Sequence, residues 1–249
     1  MKKFQLKKVY LFFSTVLIFI LHLPFAFSKS KPLNLAKAAS EAPNSVAHTG
    51  SSSLELVYDS LKLNMKGLSE EAFDYAVKGY EYLRNKGRIR NQNVISIVDF
   101  TKPSTQKRLF IIDVKNYKVL FNTYVAHGQN SGKEFARQFS NRPDSYQSSL
   151  GFYVTSDTYI GKNGYSMHLI GQESGINDLA DERAIVMHGA PYVSESFIRA
   201  RGFLGRSWGC PAVSEELNRP IIEKIKNGSC LFIYSEDNRY LNQSRILNS

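Results

Sequence analysis

A chain of 249 residues, 43% hydrophobic and 22% charged, has the composition of an ordinary globular domain with extensions and is long enough to bury a real core. Its formal charge of +10 favours polyanionic surroundings such as a cell envelope. No DNA- or RNA-binding fold motif and no dense lysine and arginine run follow the N-terminal segment, so composition points away from a nucleic-acid partner.

Residues 1–8 are basic, residues 9–23 are apolar, and Ala26-Phe27-Ser28 supplies small residues, which together make the three regions of a secretory signal. Residues 1–28 are therefore read as a signal peptide cleaved after Ser28. The competing reading is an uncleaved anchor over residues 9–27, near the ~20 residues that span a bilayer, with Pro24 disturbing its end. Only through such an anchor is membrane contact expected. Cleavage removes Lys2, Lys3, Lys7 and Lys8 and takes the charge from +10 to +6, because the segment has no acidic residue. Residues 29–50 mix alanine, serine, proline and lysine without an apolar period and read as a flexible tether.

Residues 51–90 form a helical N-terminal segment. Leu54, Val57, Tyr58 and Leu61 fall at helical spacing and predict a helix over residues 52–64. In the next helix Ser69 is the cap, Glu70 and Glu71 suit the positive end, Leu68 staples onto Phe73, and Gly87 follows the last turn. Its apolar stripe is Phe73, Ala76, Val77, Tyr80 and Leu83.

From Val94 the period becomes two. Strands are predicted over residues 94–100, 108–113 and 118–125, the last two joined by a turn at 114–117, then over 151–156, 166–170, 184–188 and 230–235. A helix over 214–226 starts from Ser214, with Glu215 and Glu216 in its first turn. Residues 91–240 thus read as one mainly β domain without an internal repeat.

The chemistry gathers in Ile185-Val-Met-His188-Gly189 and Gly205-Arg-Ser207-Trp-Gly209-Cys210-Pro211-Ala212. A thiol attacks as thiolate, so it needs a base or a positive field, and it needs backbone donors where an oxyanion forms. Gly209 lets a carbonyl approach the amides of Gly209 and Cys210. A base paired with the thiol is expected to bring it below the ~8.5 of free cysteine. His188 also reads as an ordinary strand-end histidine. Cys210 and Cys230 are either a disulfide or two free thiols, Cys230 lying in an apolar strand pattern. His127, His168, His188 and Cys210 match no short metal-ligand spacing, which weighs against a zinc site.

The two motifs resemble the signature of the L,D-transpeptidases, cell-wall enzymes with a catalytic cysteine, in the variant subfamily where proline and alanine follow that cysteine. The likeness extends through Ser148-Ser-Leu-Gly-Phe-Tyr153, Val125-Ala-His-Gly128 and Gly228-Ser-Cys-Leu-Phe-Ile-Tyr234, covering roughly residues 94–234. Trp208 stands where most members have a second histidine, and the stretch from His188 to Cys210 is longer than usual, implying a longer loop over the site.

The resemblance implies a mainly β catalytic domain of sandwich or barrel form, two free thiols, Cys210 as nucleophile, His188 as its base, and the Gly189 carbonyl orienting the imidazole. It places His127 near the cleft, as a candidate to hold substrate or support the thiolate, and it implies neither metal nor organic cofactor. Arg183 and Arg206 are candidates for a stem-peptide carboxylate, each weighed against a solvated surface arginine, while Ser207 hydrogen-bonds within the loop and Trp208 is either a cleft wall or core. The implied partner is the peptidoglycan stem peptide, in the periplasm or cell envelope, attacked to give a thioester with release of D-alanine. An amine acceptor makes a transpeptidase, water an L,D-carboxypeptidase, and a protein lysine a protein-to-wall ligase. A noncatalytic wall-binding domain is the rival from another class. A papain-like peptidase has its cysteine and histidine in the reverse chain order. Oligomeric state is not legible.

Overall fold

A computed structural model of the chain describes residues 55–249, so the signal or anchor, the tether and the start of the helical segment lie outside the described residues. Helix α1, Glu55–Ser60, stops short of the expected residue 64 because the chain then enters turns, with the Leu63 amide bonded to Tyr58 O and that of Leu68 to Leu63 O. Tyr58 is buried against Phe73 and donates its hydroxyl to Leu68 O at 2.8 Å, so tertiary contacts decide this end.

Helix α2, Glu70–Asn85, follows its sequence signals. Ser69 Oγ accepts from the Ala72 amide at 3.3 Å. The Gly87 and Arg88 amides bond back to Arg84 O and Leu83 O, which satisfies the last carbonyls. Phe73, Ala76, Val77, Tyr80 and Leu83 are all buried. They pack on strands β1, Val94–Asp99, and β8, Cys230–Tyr234, so helix and sheet share one core.

The remaining strands are β2 (Leu109–Asp113), β3 (Lys118–Thr123), β4 (Gly151–Gly161), β5 (Gly164–Gly171), β6 (Val186–Gly189) and β7 (Ala212–Val213). The order is β3-β2-β1-β8-β4-β5-β6-β7, with β1·β8 and β6·β7 parallel and the other pairs antiparallel. Central β1 is buried along its whole length, covered on both faces, so it shows a continuous apolar run instead of alternation. The two ends of the order meet: Ala126, just past β3, donates its amide to Ala212 O of β7 at 2.8 Å. The sheet is therefore nearly closed, as expected for the sandwich or barrel class.

Four differences from the sequence reading concern the site, one being the short strand β7, which the reading did not place. Strands β4 and β5 run to Gly161 and from Gly164, making a long hairpin whose Asn163-Gly164 turn signal the apolar pattern alone passes over, since its tip is largely exposed. Strand β6 begins at Val186, because Ala184 takes a positive φ of 52° at the end of the preceding turns. The long stretch after His188 is partly helix: α3, Glu195–Arg201, is capped by Ser194 Oγ on the Phe197 amide. Helix α4, Glu215–Ile225, is capped by Ser214 as expected, and a short α5, Asn238–Gln243, capped by Asp237, closes the chain.

Candidate active site

Parallel pairing of β6 and β7 sets His188 opposite Ala212 and Gly189 opposite Val213, so Cys210 lies two residues upstream of the position facing His188. Both side chains line a cleft of about 650 Å³. One wall is the β4–β5 hairpin tip with Tyr159 and Lys162, another the Pro191–Tyr192 stretch, and a third Arg206 to Trp208.

The His188 ring has its tautomer fixed. Its Nδ1 lies 2.9 Å from Gly189 O, and a carbonyl can only accept, so Nδ1 carries the hydrogen and Nε2 keeps its lone pair. Burial lowers the imidazole's pKa, opposed by that hydrogen bond, so the ring is neutral at rest.

The Cys210 thiol, half-buried, donates to Ala184 O at 3.7 Å. Burial pushes its pKa up, against the pull of the Val186 backbone, the Arg183 charge and the residue's own amide. This reverses the expected direction. A neutral imidazole supplies no positive field, so desolvation of the thiolate wins and the resting pair is thiol and neutral imidazole. Cys230 is fully buried on β8, its thiol driven up by burial, and both cysteines are free.

The Gly209 amide is not open to a substrate: it donates to Ser207 Oγ at 3.0 Å, while Ser207 Oγ donates to Cys210 O at 2.7 Å. Gly209 instead answers a local demand. Its φ is +125°, and a Cβ there would sit 2.7 Å from Gln147 O, so only glycine fits between the cysteine loop and the 145–149 segment. Ser207 thus braces the loop, in keeping with its expected bonding within the loop.

His127 is buried and is not among the residues lining the cleft, contrary to expectation. Arg108 Nη2 donates to its Nδ1 at 2.8 Å, and its Nε2 donates to Gly132 O at 3.2 Å. Burial and the Arg108 charge bring its pKa down to about 3. Its backbone still serves the site, since His127 O accepts from the Ser207 amide at 2.9 Å.

Arg183 lines the cleft but is already occupied. Its Nη1 donates to Ser140 O and Ser149 Oγ, and its Nη2 to Gln147 O at 2.7 Å and Ser145 Oγ at 3.2 Å. It is a clamp on the 140–149 segment whose charge reaches Cys210, with no fork left for a carboxylate. Arg206 is different. Only its Nη1 is engaged, by Gln129 O at 3.2 Å and Gly132 O at 3.1 Å, which leaves Nη2 and Nε for a ligand. Trp208 is 67% exposed and packs on Tyr146 with ring centroids 5.5 Å apart, so it is cleft wall and not core.

Sequence reasoning missed Tyr192, Lys162 and Glu215, all lining the cleft. Tyr192 has its pKa pushed up to about 12, first by burial and then by Cys210, so it keeps its hydroxyl proton. Position four residues after His188 was its only signal. Among the described residues no group of three or more His, Cys, Asp or Glu is placed to hold a metal ion.

Residues 64–234 match the family model described as the L,D-transpeptidase catalytic domain. Among solved structures, an L,D-transpeptidase from Mycobacterium smegmatis is similar at 11% identity and a TM-score of 0.36, over 57% of this chain and 59% of that one. One from Stackebrandtia nassauensis is similar at 14% and 0.35, over 74% and 77%. The helical cell shape determining protein Pgp2 from Campylobacter jejuni follows at 12% and 0.38, over 58% and 48%. The chain spans about three fifths of the length of the mycobacterial structures it matches. No curated protein matches it.

Proposed function

This chain belongs to the L,D-transpeptidase catalytic-domain family, and we propose that it is a cysteine acyltransferase of peptidoglycan, cross-linking stem peptides through a Cys210 thioester. The observation that carries the reading is the His188 tautomer: Nδ1–H held by Gly189 O leaves Nε2 as a base in the cleft that holds Cys210.

In this reading Nε2 takes the Cys210 proton as sulfur attacks the carbonyl carbon of the L-centre residue in a tetrapeptide stem. Starting from a neutral pair, the proton moves during attack and not before it. The tetrahedral oxyanion is met by the Cys210 amide and the Tyr192 hydroxyl, since the Gly209 amide is taken by Ser207. Collapse breaks the C–N bond to D-alanine, whose nitrogen receives the proton from His188, and leaves the thioester. An amine of a second stem then attacks the thioester carbonyl, its proton passing through Nε2 to the departing sulfur. Arg206, with free donors beside Trp208, holds the donor stem, its carboxylate in charge-assisted hydrogen bonds.

The chemistry uses only these side chains and asks for no metal or cofactor. The cell envelope is where the substrate lies, and residues 1–28 as signal and 29–50 as tether would deliver residues 91–240 there behind the helical segment 51–90. Among the described residues no helix is long and apolar enough to cross a membrane.

Incubating the protein with a synthetic tetrapeptide stem tests the reading. Mass spectrometry should show D-alanine released and an acyl group on Cys210, followed by dimeric stems. Monomeric tripeptide as the only product would make the protein an L,D-carboxypeptidase. Binding without any adduct on Cys210 would leave the wall-binding reading.

A further inference from the structure

Charged side chains line the cleft on both sides of strand β7. Cys210 precedes the strand and stands on the side of Arg183 and Arg206, while Glu215 follows it. Among the described residues Glu215 is the only carboxylate in the cleft lining. Its backbone is pressed against Gly189, where a Cβ would come within 3.2 Å of the Glu215 Cα. Because Gly189 follows His188 and pairs with Val213, the order along the cleft is Cys210, His188, Glu215. The two ends are five positions apart in the chain, at most ~18 Å when extended. No ion pair within 4.0 Å involves Glu215 among the described residues, and Lys162 on the hairpin tip is not bonded to it.

We propose that Glu215 recruits the acyl acceptor, drawing a cationic primary amine into the His188 side of the cleft. The proposal rests on the acyltransferase reading and adds the residue that favours an amine over water in the second half-reaction. An alkyl amine enters as its ammonium ion and loses one proton to solvent. The neutral nitrogen attacks the thioester carbonyl, the C–S bond breaks, and the remaining excess proton passes by Nε2 to sulfur. Glu215 takes no part in those bonds. It raises the local concentration of the acceptor, an effect that salt screens. Arg183 and Arg206 on the Cys210 side repel the same ammonium and favour the acyl donor's carboxylate, while Lys162, on the hairpin tip at the Glu215 end, offsets part of the carboxylate's pull.

Glu216 supplies the control. It is the next residue in the first turn of α4 and meets the helix dipole in the same way, but it does not line the cleft. The experiment forms the acyl-enzyme from a tetrapeptide stem and measures its decay with lysine amide, which is cationic, and with hydroxylamine, which is uncharged at neutral pH. In Glu215→Gln the concentration of lysine amide giving half-maximal transfer should rise about two- to fivefold, the range of an exposed ion pair, and the difference should shrink as salt is added. Hydroxylamine should act alike on wild type, Glu215→Gln and Glu216→Gln. Equal dependence on lysine amide in wild type and Glu215→Gln overturns the proposal, and so does an equal loss with hydroxylamine, which would mark a structural effect. Absence of any acyl-enzyme in the wild type overturns the acyltransferase reading itself.

Discussion

Arg108 donates through Nη2 to His127 Nδ1 at 2.8 Å, and neither side chain is exposed to water. The guanidinium also gives Nε and Nη2 to Val125 O and Nη1 to Lys102 O, and it lies 4.8 Å from the centre of the Phe100 ring. Burial brings it down to about 9, so it stays charged at neutral pH. A histidine beside that charge cannot take a proton cheaply. It becomes a fixed strut whose carbonyl carries the Ser207 amide, and so ties the core to the cysteine loop.

The strut makes stability depend on pH. With its folded pKa near 3 and an unfolded value of ~6.5, His127 binds a proton in the unfolded chain and not in the folded one between those limits. Stability therefore rises with pH across that window, is complete above about 6.5, and is lost as pH falls toward 3. His188, also lowered by burial, acts with the same sign. His127→Gln can keep both hydrogen bonds without titrating. Its melting temperature should fall less between pH 7 and pH 4.5 than that of the wild type, and equal slopes would remove His127 as the titrating group.

For Cys210, alkylation by iodoacetamide should rise with pH around a midpoint above the ~8.5 of free cysteine, because burial outweighs the Arg183 charge and the amide dipoles. Such a profile separates the neutral resting pair from a preformed ion pair, which would alkylate near neutrality. His188→Ala should leave the midpoint within a few tenths of a unit while slowing acyl transfer at least ~10²-fold, since the base acts during attack. Cys230→Ala should keep the activity and lose about 1 kcal/mol for the buried atom. A midpoint below 7 in the wild type would reinstate the thiolate.

Local chemistry was legible and distant pairing was not. The Ser69 cap, the α2 stripe and the Ser214 cap each depend on residues a turn or two apart, and all three are in place. The parallel pairing of Ile95 with Cys230 depends on packing across most of the domain, and no local pattern encodes it. The same limit governed the site. Cys210, His188 and Gly189 carry a motif, whereas an arginine reads alike whether it is a clamp or a ligand. Only the acceptors around Arg183, drawn from residues 140, 145, 147 and 149, separate it from Arg206. His127 was misplaced for the same reason, because its partner Arg108 lies 19 residues away, just before strand β2.

The C-terminal helix α5 is held by a buried carboxylate. Glu173 accepts from the Phe152 amide at 2.8 Å, from the Tyr240 hydroxyl at 3.2 Å and from Ser244 Oγ, while burial raises its pKa. Removing it leaves a strand amide and a tyrosine hydroxyl buried without partners. Glu173→Ala should cost about 3 kcal/mol in urea unfolding, and Ser244→Ala about 1 kcal/mol. A loss under 0.5 kcal/mol in Glu173→Ala would mean that water replaces the carboxylate.

The oxyanion donors separate two residues that a sequence motif treats unequally. Gly209 is in the motif, yet its amide is bonded to Ser207 and its φ of +125° leaves no room for a side chain. Gly209→Ala should therefore lower stability by about 1–3 kcal/mol through backbone strain and lower activity with it, by shifting the loop that carries Cys210. Tyr192 is outside the motif but lines the cleft with a hydroxyl that stays protonated. Tyr192→Phe should keep the melting temperature and slow acylation of Cys210 by about 10²-fold, the effect of losing one oxyanion donor. Single-turnover acylation with a tetrapeptide stem, beside a thermal melt of each variant, reads the two effects apart. Wild-type acylation in Tyr192→Phe would leave the Cys210 amide as the donor and return Tyr192 to packing.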